Sequence, residues 1–192
     1  MKTENKIIRL FIEDKKPRTI RETAIYIKSD YKITHVAMQR LLDKKIILSK
    51  TIGKSVLCEL NSSYYGAEIY EAESERREKL LKNKNMRQLS KEILGKIKSS
   101  FFIFIIFGSY AKNKSTQFSD IDIVFISNEK DFEERISNIL SLLPLKTHTL
   151  VFTEEEFINM KDSKKSNVVK EAIQNNVILY GVENYYRLKN AE

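Results

Sequence analysis

The stretch FFIFIIFGSYAKNKSTQFSDIDIV, residues 101–124, decides how this chain reads. It opens on seven apolar residues, Phe101 to Phe107. A continuous apolar run of strand length is what a central strand buried on both faces needs. Gly108 ends the run and carries no side chain that would block a phosphate. Ser109 then opens a short helix through Tyr110 and Ala111. Free amides at a helix start attract phosphate oxygens, and the Ser109 hydroxyl adds one more donor. Ten residues later Ser119 turns the chain into a second strand, Ile121 to Ile126, led by Asp120-Ile121-Asp122. Alternation along that strand puts Asp120 and Asp122 on the same face. Two carboxylates on one face suit magnesium or manganese, which take oxygen ligands and substrate phosphates together.

Downstream, Asp131 to Leu143 reads as a helix, with Phe132, Ile136, Ile139, Leu140 and Leu143 on one face. Thr149 to Phe152 is a third strand. Thr153 and Glu156 have the spacing of a capping box, in which a threonine caps the helix and the glutamate reaches back. A helix over Ser166 to Asn175 and a strand over Val177 to Tyr180, ending at Gly181, complete a mixed α/β domain. Upstream, Leu89, Ile93 and Ile97 mark a helix that packs on this domain. Before it lies a strongly charged helix around Glu71 to Lys79.

The first third has a different pattern. Ile7, Ile8, Phe11 and Ile12 mark a helix that Pro17 ends. Thr19 and Glu22 form a second capping-box signature ahead of Ile20, Ala24 and Ile27. After a turn at Ser29 to Lys32, a third helix runs from about Ile33 to Lys45, with Ile33, Ala37, Met38, Leu41 and Leu42 inward. Strands at Ile46 to Ser49 and Ser55 to Leu60 follow, joined through Gly53. Three helices and a basic hairpin resemble a winged helix-turn-helix domain. That resemblance implies duplex DNA as partner, with His35, Gln39, Arg40 and Lys44 on the third helix and Lys50 and Lys54 on the wing.

Gly108-Ser109-Tyr110-Ala111 and Ser119-Asp120-Ile121-Asp122 resemble the signature of the DNA polymerase β-like nucleotidyltransferase superfamily, in its minimal branch. The similarity covers about residues 86–190. It implies a transferase that moves a nucleoside monophosphate from a nucleoside triphosphate, with ATP the expected nucleotide, to an acceptor. Asp120 and Asp122 are then the catalytic metal ligands, and Gly108, Ser109 and Ser119 the nucleotide contacts. The family places a third carboxylate on the next core strand, to serve the acceptor hydroxyl. Here that strand reads Lys146-Thr147-His148-Thr149-Leu150-Val151-Phe152 and carries no acid. The position falls near His148 or Thr149, and three readings fit: a histidine base, a group supplied by a partner chain, or a site that only binds nucleotide. The alternative function is therefore a DNA-binding transcriptional regulator whose second domain senses nucleotide. Family members of this size modify a protein or a small molecule, and some attach AMP to a toxin partner.

The expected architecture is α+β. A winged helix-turn-helix domain spans residues 1–63, a charged linker helix 64–85, and a nucleotidyltransferase-like α/β domain 86–192. The formal net charge of +8 divides unevenly over these boundaries. Residues 1–63 hold 14 Lys/Arg against 7 Asp/Glu, and residues 64–192 hold 20 against 19. A basic first third points to a polyanion. Cys58 stands alone, so no internal disulfide forms and a reducing cytoplasm is the expected home. Neither Cys58 nor the two histidines have metal-ligand spacing, which argues against zinc. No apolar run approaches the roughly 20 residues of a membrane span, and no signal peptide is expected. Tyr64-Tyr65 and Tyr185-Tyr186 are candidates either for a homodimer contact or for local core.

Overall fold

The computed structural model describes residues 2–99 and 101–191. Two compact units divide between Ser74 and Glu75.

The first unit holds three helices and a hairpin: α1 (Thr3–Asp14), α2 (Ile20–Tyr26), α3 (Tyr31–Asp43), β1 (Ile47–Ile52) and β2 (Ser55–Leu60). The Thr19/Glu22 capping box forms in full. α3 begins two residues earlier than the spacing of its apolar residues predicts. The Asp30 side chain accepts from the Lys32 and Ile33 amides and satisfies donors the helix leaves open. Its buried line is Thr34, Ala37, Met38 and Leu41. Ile33, expected inward, is 56% exposed, because Thr34 occupies the core-facing position one residue on. β1 and β2 pair antiparallel about the turn at Gly53, where φ is +59°. Arg18 adds a further rung to β2, exchanging two backbone hydrogen bonds with Cys58. The Arg18 guanidinium meets Asp14 and lies 4.0 Å over the Tyr26 ring. Burial pushes the Cys58 thiol up from its ordinary value, which leaves it protonated and unreactive.

α4 (Ala67–Leu80) starts within this unit. The Tyr64 hydroxyl donates to the Glu68 carboxylate, and Lys44 Nζ lies 3.0 Å from Glu68 Oε1. The Tyr64 hydrogen bond, then Lys44, holds the Glu68 carboxyl down at about 2, while burial and the facing carboxylate push Tyr64 up to about 12. A carboxyl whose folded value is depressed stabilises the fold above its unfolded value and loses that contribution as pH falls through the folded one. The expected loss runs from about pH 5 down to 2. Thermal melts check this. At pH 6, Glu68→Gln should lower the midpoint by roughly 2–4 °C, and the variant should match wild type near pH 2–3. An equal gap between the two proteins at both pH values would contradict it.

Glu68, Glu71 and Glu73 fall inside the first unit, and this redistributes the charge. The first unit then holds 14 Lys/Arg against 10 Asp/Glu, and the second 20 against 16, a net of +4 each. The basic asymmetry expected from a boundary at residue 63 does not survive this division.

The second unit is a four-stranded sheet of β3 (Ile103–Phe107), β4 (Ile121–Ile126), β5 (Thr147–Phe152) and β6 (Asn176–Tyr180), in the order β5-β4-β3-β6. β3 lies antiparallel to β4 and β6, and β5 runs parallel to β4. Every residue of β3 is buried, as a strand covered on both faces must be. On one face Phe104, Ile106, Ile121, Ile123 and Phe125 join a core with α5 (Lys84–Lys96) and α7 (Phe132–Ser141). Phe104 stacks on Phe125 with ring centroids 4.7 Å apart. The other face is covered by α8 (Glu154–Asp162), α9 (Val168–Gln174) and α10 (Val182–Asn190). α10 has no counterpart in the sequence reading. It buries Tyr185 and Tyr186 to 2% and 3% exposure, so these two rings belong to the local core and offer no dimer contact. The Tyr185 hydroxyl accepts from Asn176 Nδ2 at 2.7 Å, and the Arg76 guanidinium donates to the Asn176 carbonyl at the start of β6. No helix among the described residues is long and apolar enough to cross a membrane.

Candidate nucleotide and metal site

The site is built where β3 ends and β4 begins. β3 stops at Phe107, and Gly108 opens the one-turn helix α6 (Gly108–Ala111) with φ at +64°. The close neighbour of Gly108 is Asp122. A Cβ on residue 108 would stand 2.0 Å from Asp122 Oδ2 and 3.2 Å from Asp122 Cβ. The space left by the missing side chain, assigned to a phosphate on sequence grounds, is thus first taken by the Asp122 carboxylate. Tyr110 anchors the turn from inside the core, 7% exposed. Ser109 is half-buried, and its hydroxyl has no hydrogen-bond partner among the described residues.

From Lys112 to Asp120 the chain loops out. Ser119 Oγ accepts from the Thr116 amide at 2.9 Å, and the Ser119 amide donates to the Thr116 carbonyl. The Ser119 hydroxyl is therefore engaged in its own turn, which sets the entry into β4. Asp120 is exposed and takes no hydrogen bond from any described residue. Two residues on, Asp122 is 29% exposed. Both acids sit at the end of β4 on the face opposite Ile121 and Ile123, which point into the core.

The parallel register of β5 brings in a residue that spacing does not reveal. His148 is the cross-strand neighbour of Asp122, and its Nδ1 lies 3.6 Å from Asp122 Oδ1. Thr149 is one place further along and faces Ile123 in the register. Of the two positions open for the third carboxylate, His148 is the one beside the acids. A groove of about 630 Å³ runs along this edge strand, between β5 and α7. Glu133, Ser137, Ser141, Thr147, His148 and Thr149 supply its polar lining.

The two acids fit a divalent cation of a particular kind. Among the described residues no three His, Cys, Asp or Glu side chains assemble into a ready-made cage. Asp120 and Asp122 leave most of a coordination shell open, as suits an ion that keeps water and phosphate oxygens as ligands.

The residues expected on DNA lie elsewhere, in the first unit. Gln39, Lys50 and Lys54 are exposed, and His35 is half-buried with its ring 5.9 Å from that of Tyr31. Arg40 Nη1 lies 3.0 Å from Glu4 Oε1, and Lys44 is paired with Glu68. These two cations are already partnered. In the same unit Ile25, Tyr26, Ile33 and Val36 expose half or more of their surface.

Comparison with curated proteins and with solved structures yields no match. The family model described as Polymerase beta, Nucleotidyltransferase matches residues 88–184, just over half of the chain. That span contains the strand-end glycine, the acid pair and the β5 neighbour described above, and this chain belongs to the polymerase β nucleotidyltransferase family.

Proposed function

We propose that this chain transfers a nucleoside monophosphate from a nucleoside triphosphate to an acceptor hydroxyl, with magnesium or manganese as cofactor and ATP as the nucleotide. The observation that carries the reading is the seating of the Asp122 carboxylate against Gly108, with Asp120 on the same strand face. Asp120 and Asp122 would hold the cation, which when bound offsets the triphosphate charge and stabilises charge at the α-phosphate. The chain's own contribution is positional. Gly108 fixes the Asp122 carboxylate at the strand end. The unpartnered Ser109 hydroxyl and the α6 amides are available to phosphate oxygens. The exposed His148 side chain on edge strand β5 leaves the acceptor, such as a protein partner of the toxin kind, an open approach beside Asp122.

The test is incubation of the full chain with α-labelled ATP, magnesium and a cell lysate. Label transferred to a lysate component or to the chain itself supports the reading. Nucleotide binding without any transfer would move it to the second reading, a regulator that senses nucleotide. That second reading is favoured by one observation, the imidazole of His148 standing where the family's acceptor-side carboxylate is expected.

For the first unit we propose a winged helix-turn-helix that binds duplex DNA. The three helices, the antiparallel hairpin and the exposed Lys50 and Lys54 support it. Because Arg40 and Lys44 are paired with acids, the phosphate contacts fall mainly to the hairpin. Lysine–phosphate contacts release counterions, so affinity should fall linearly on a log–log salt plot. Lys50→Ala/Lys54→Ala should reduce that slope by about 2. Fluorescence anisotropy on the full chain measures it. Absence of binding at low salt would redirect the exposed Ile33 and Val36 surface to a protein partner.

A further inference from the structure

The neighbour relation between His148 and Asp122 goes further than filling a vacant acid position. Their N···O distance of 3.6 Å is too long for a hydrogen bond. Two donors about 2.1 Å from a single ion, at angles of 90–110°, stand roughly 3.0–3.5 Å apart. The pair is thus close to the spacing of two ligands of one cation. The imidazole is 62% exposed and has no other partner among the described residues, so a small ring movement closes the gap at little cost. The strand alternation that carries Asp120 and Asp122 to one face also presents His148 there, because the parallel register pairs Asp122 directly with it.

On the proposed nucleotide site, we infer that His148 is a metal ligand and makes the site select a first-row transition cation over magnesium. The chemistry follows from the donor set. Three carboxylates would give a hard, strongly negative all-oxygen site, which suits magnesium. Here one negative charge is exchanged for a neutral imidazole nitrogen. Magnesium gains little from such a donor, whereas iron, nickel and zinc take imidazole nitrogen readily and manganese takes it more weakly than they do. Asp120, Asp122 and His148 then share one ion on the sheet face turned away from α7.

The experiment uses the full chain with manganese and inorganic triphosphate, a probe that carries no nitrogen of its own. Pulsed electron paramagnetic resonance reads whether nitrogen is coupled to the bound manganese. Magnesium titration against the same signal gives the ratio of the two affinities. Wild type should show nitrogen coupling, and His148→Ala should lose it. His148→Asp should lose it too, and should shift the ratio about tenfold toward magnesium. Manganese binding that disappears in Asp120→Asn/Asp122→Asn but shows no nitrogen coupling, with an unchanged ratio in His148→Asp, would overturn the inference and leave the nucleotide site standing. No manganese bound by wild type with triphosphate would overturn the site reading itself and the inference with it.

Discussion

Asp120→Asn/Asp122→Asn is expected to reduce nucleotidyl transfer by about 10³-fold or more while the chain stays folded. Asparagine keeps the volume and one oxygen of each side chain and removes both charges. Among the described residues Asp120 is exposed without a partner, and Asp122 has only His148 Nδ1 at 3.6 Å, beyond hydrogen-bond reach, so neither substitution breaks a hydrogen bond. Two carboxylates at one strand end repel each other and any triphosphate that approaches. Removing them should leave stability unchanged or slightly raised, so the loss of function cannot be a loss of fold. Calorimetry gives the matching binding result. Wild type should bind ATP tightly only with the divalent cation, and the variant should bind it weakly with or without. Equal cation-dependent binding by the two proteins would remove these acids from the site.

Much of this arrangement was legible in the sequence, and the legible parts share a cause. The capping boxes at Thr19/Glu22 and Thr153/Glu156 each involve residues three apart, and both form as their spacing predicts. The apolar run of β3 and the alternating acids of β4 are likewise local patterns. What could not be read is non-local. Nothing in Lys146 to Phe152 states that the strand lies parallel beside β4, in a register pairing His148 with Asp122. One residue of slip would bring Thr147 or Thr149 there instead and send His148 to the other face. The hidden partners of Arg40 and Lys44 are of the same kind, since Glu4 lies 36 residues from Arg40. α10 was missed for a different reason. Its start at Gly181, with φ at +76°, has no side-chain cap, and its buried face is two tyrosines whose spacing favours no period. Glycine is required there because a Cβ would stand 2.6 Å from the Phe102 carbonyl.

Gly108→Ala isolates the same kind of close approach at the candidate site. Two effects act at once, and they fall on different observables. Residue 108 has φ at +64°, where an L side chain costs about 1–2 kcal/mol. That part appears as a lowered urea midpoint. The second effect is steric. The new Cβ would sit 2.0 Å from Asp122 Oδ2 and 2.9 Å from its Cγ, so the carboxylate must swing away. It is the end of a partly exposed side chain, so the swing adds little to the stability loss. Its consequence is functional, because one of the two acids leaves the position set by the strand end. Transfer should therefore fall by about 10²-fold or more, well beyond what a change of 1–2 kcal/mol in a folded protein explains. Urea unfolding and the transfer assay on the same preparation separate the two. An alanine variant with lowered stability but full transfer would mean that Asp122 does not act from the position it holds against Gly108. A variant with unchanged stability and lost transfer would mean that the backbone at 108 relaxes and that only the carboxylate is displaced.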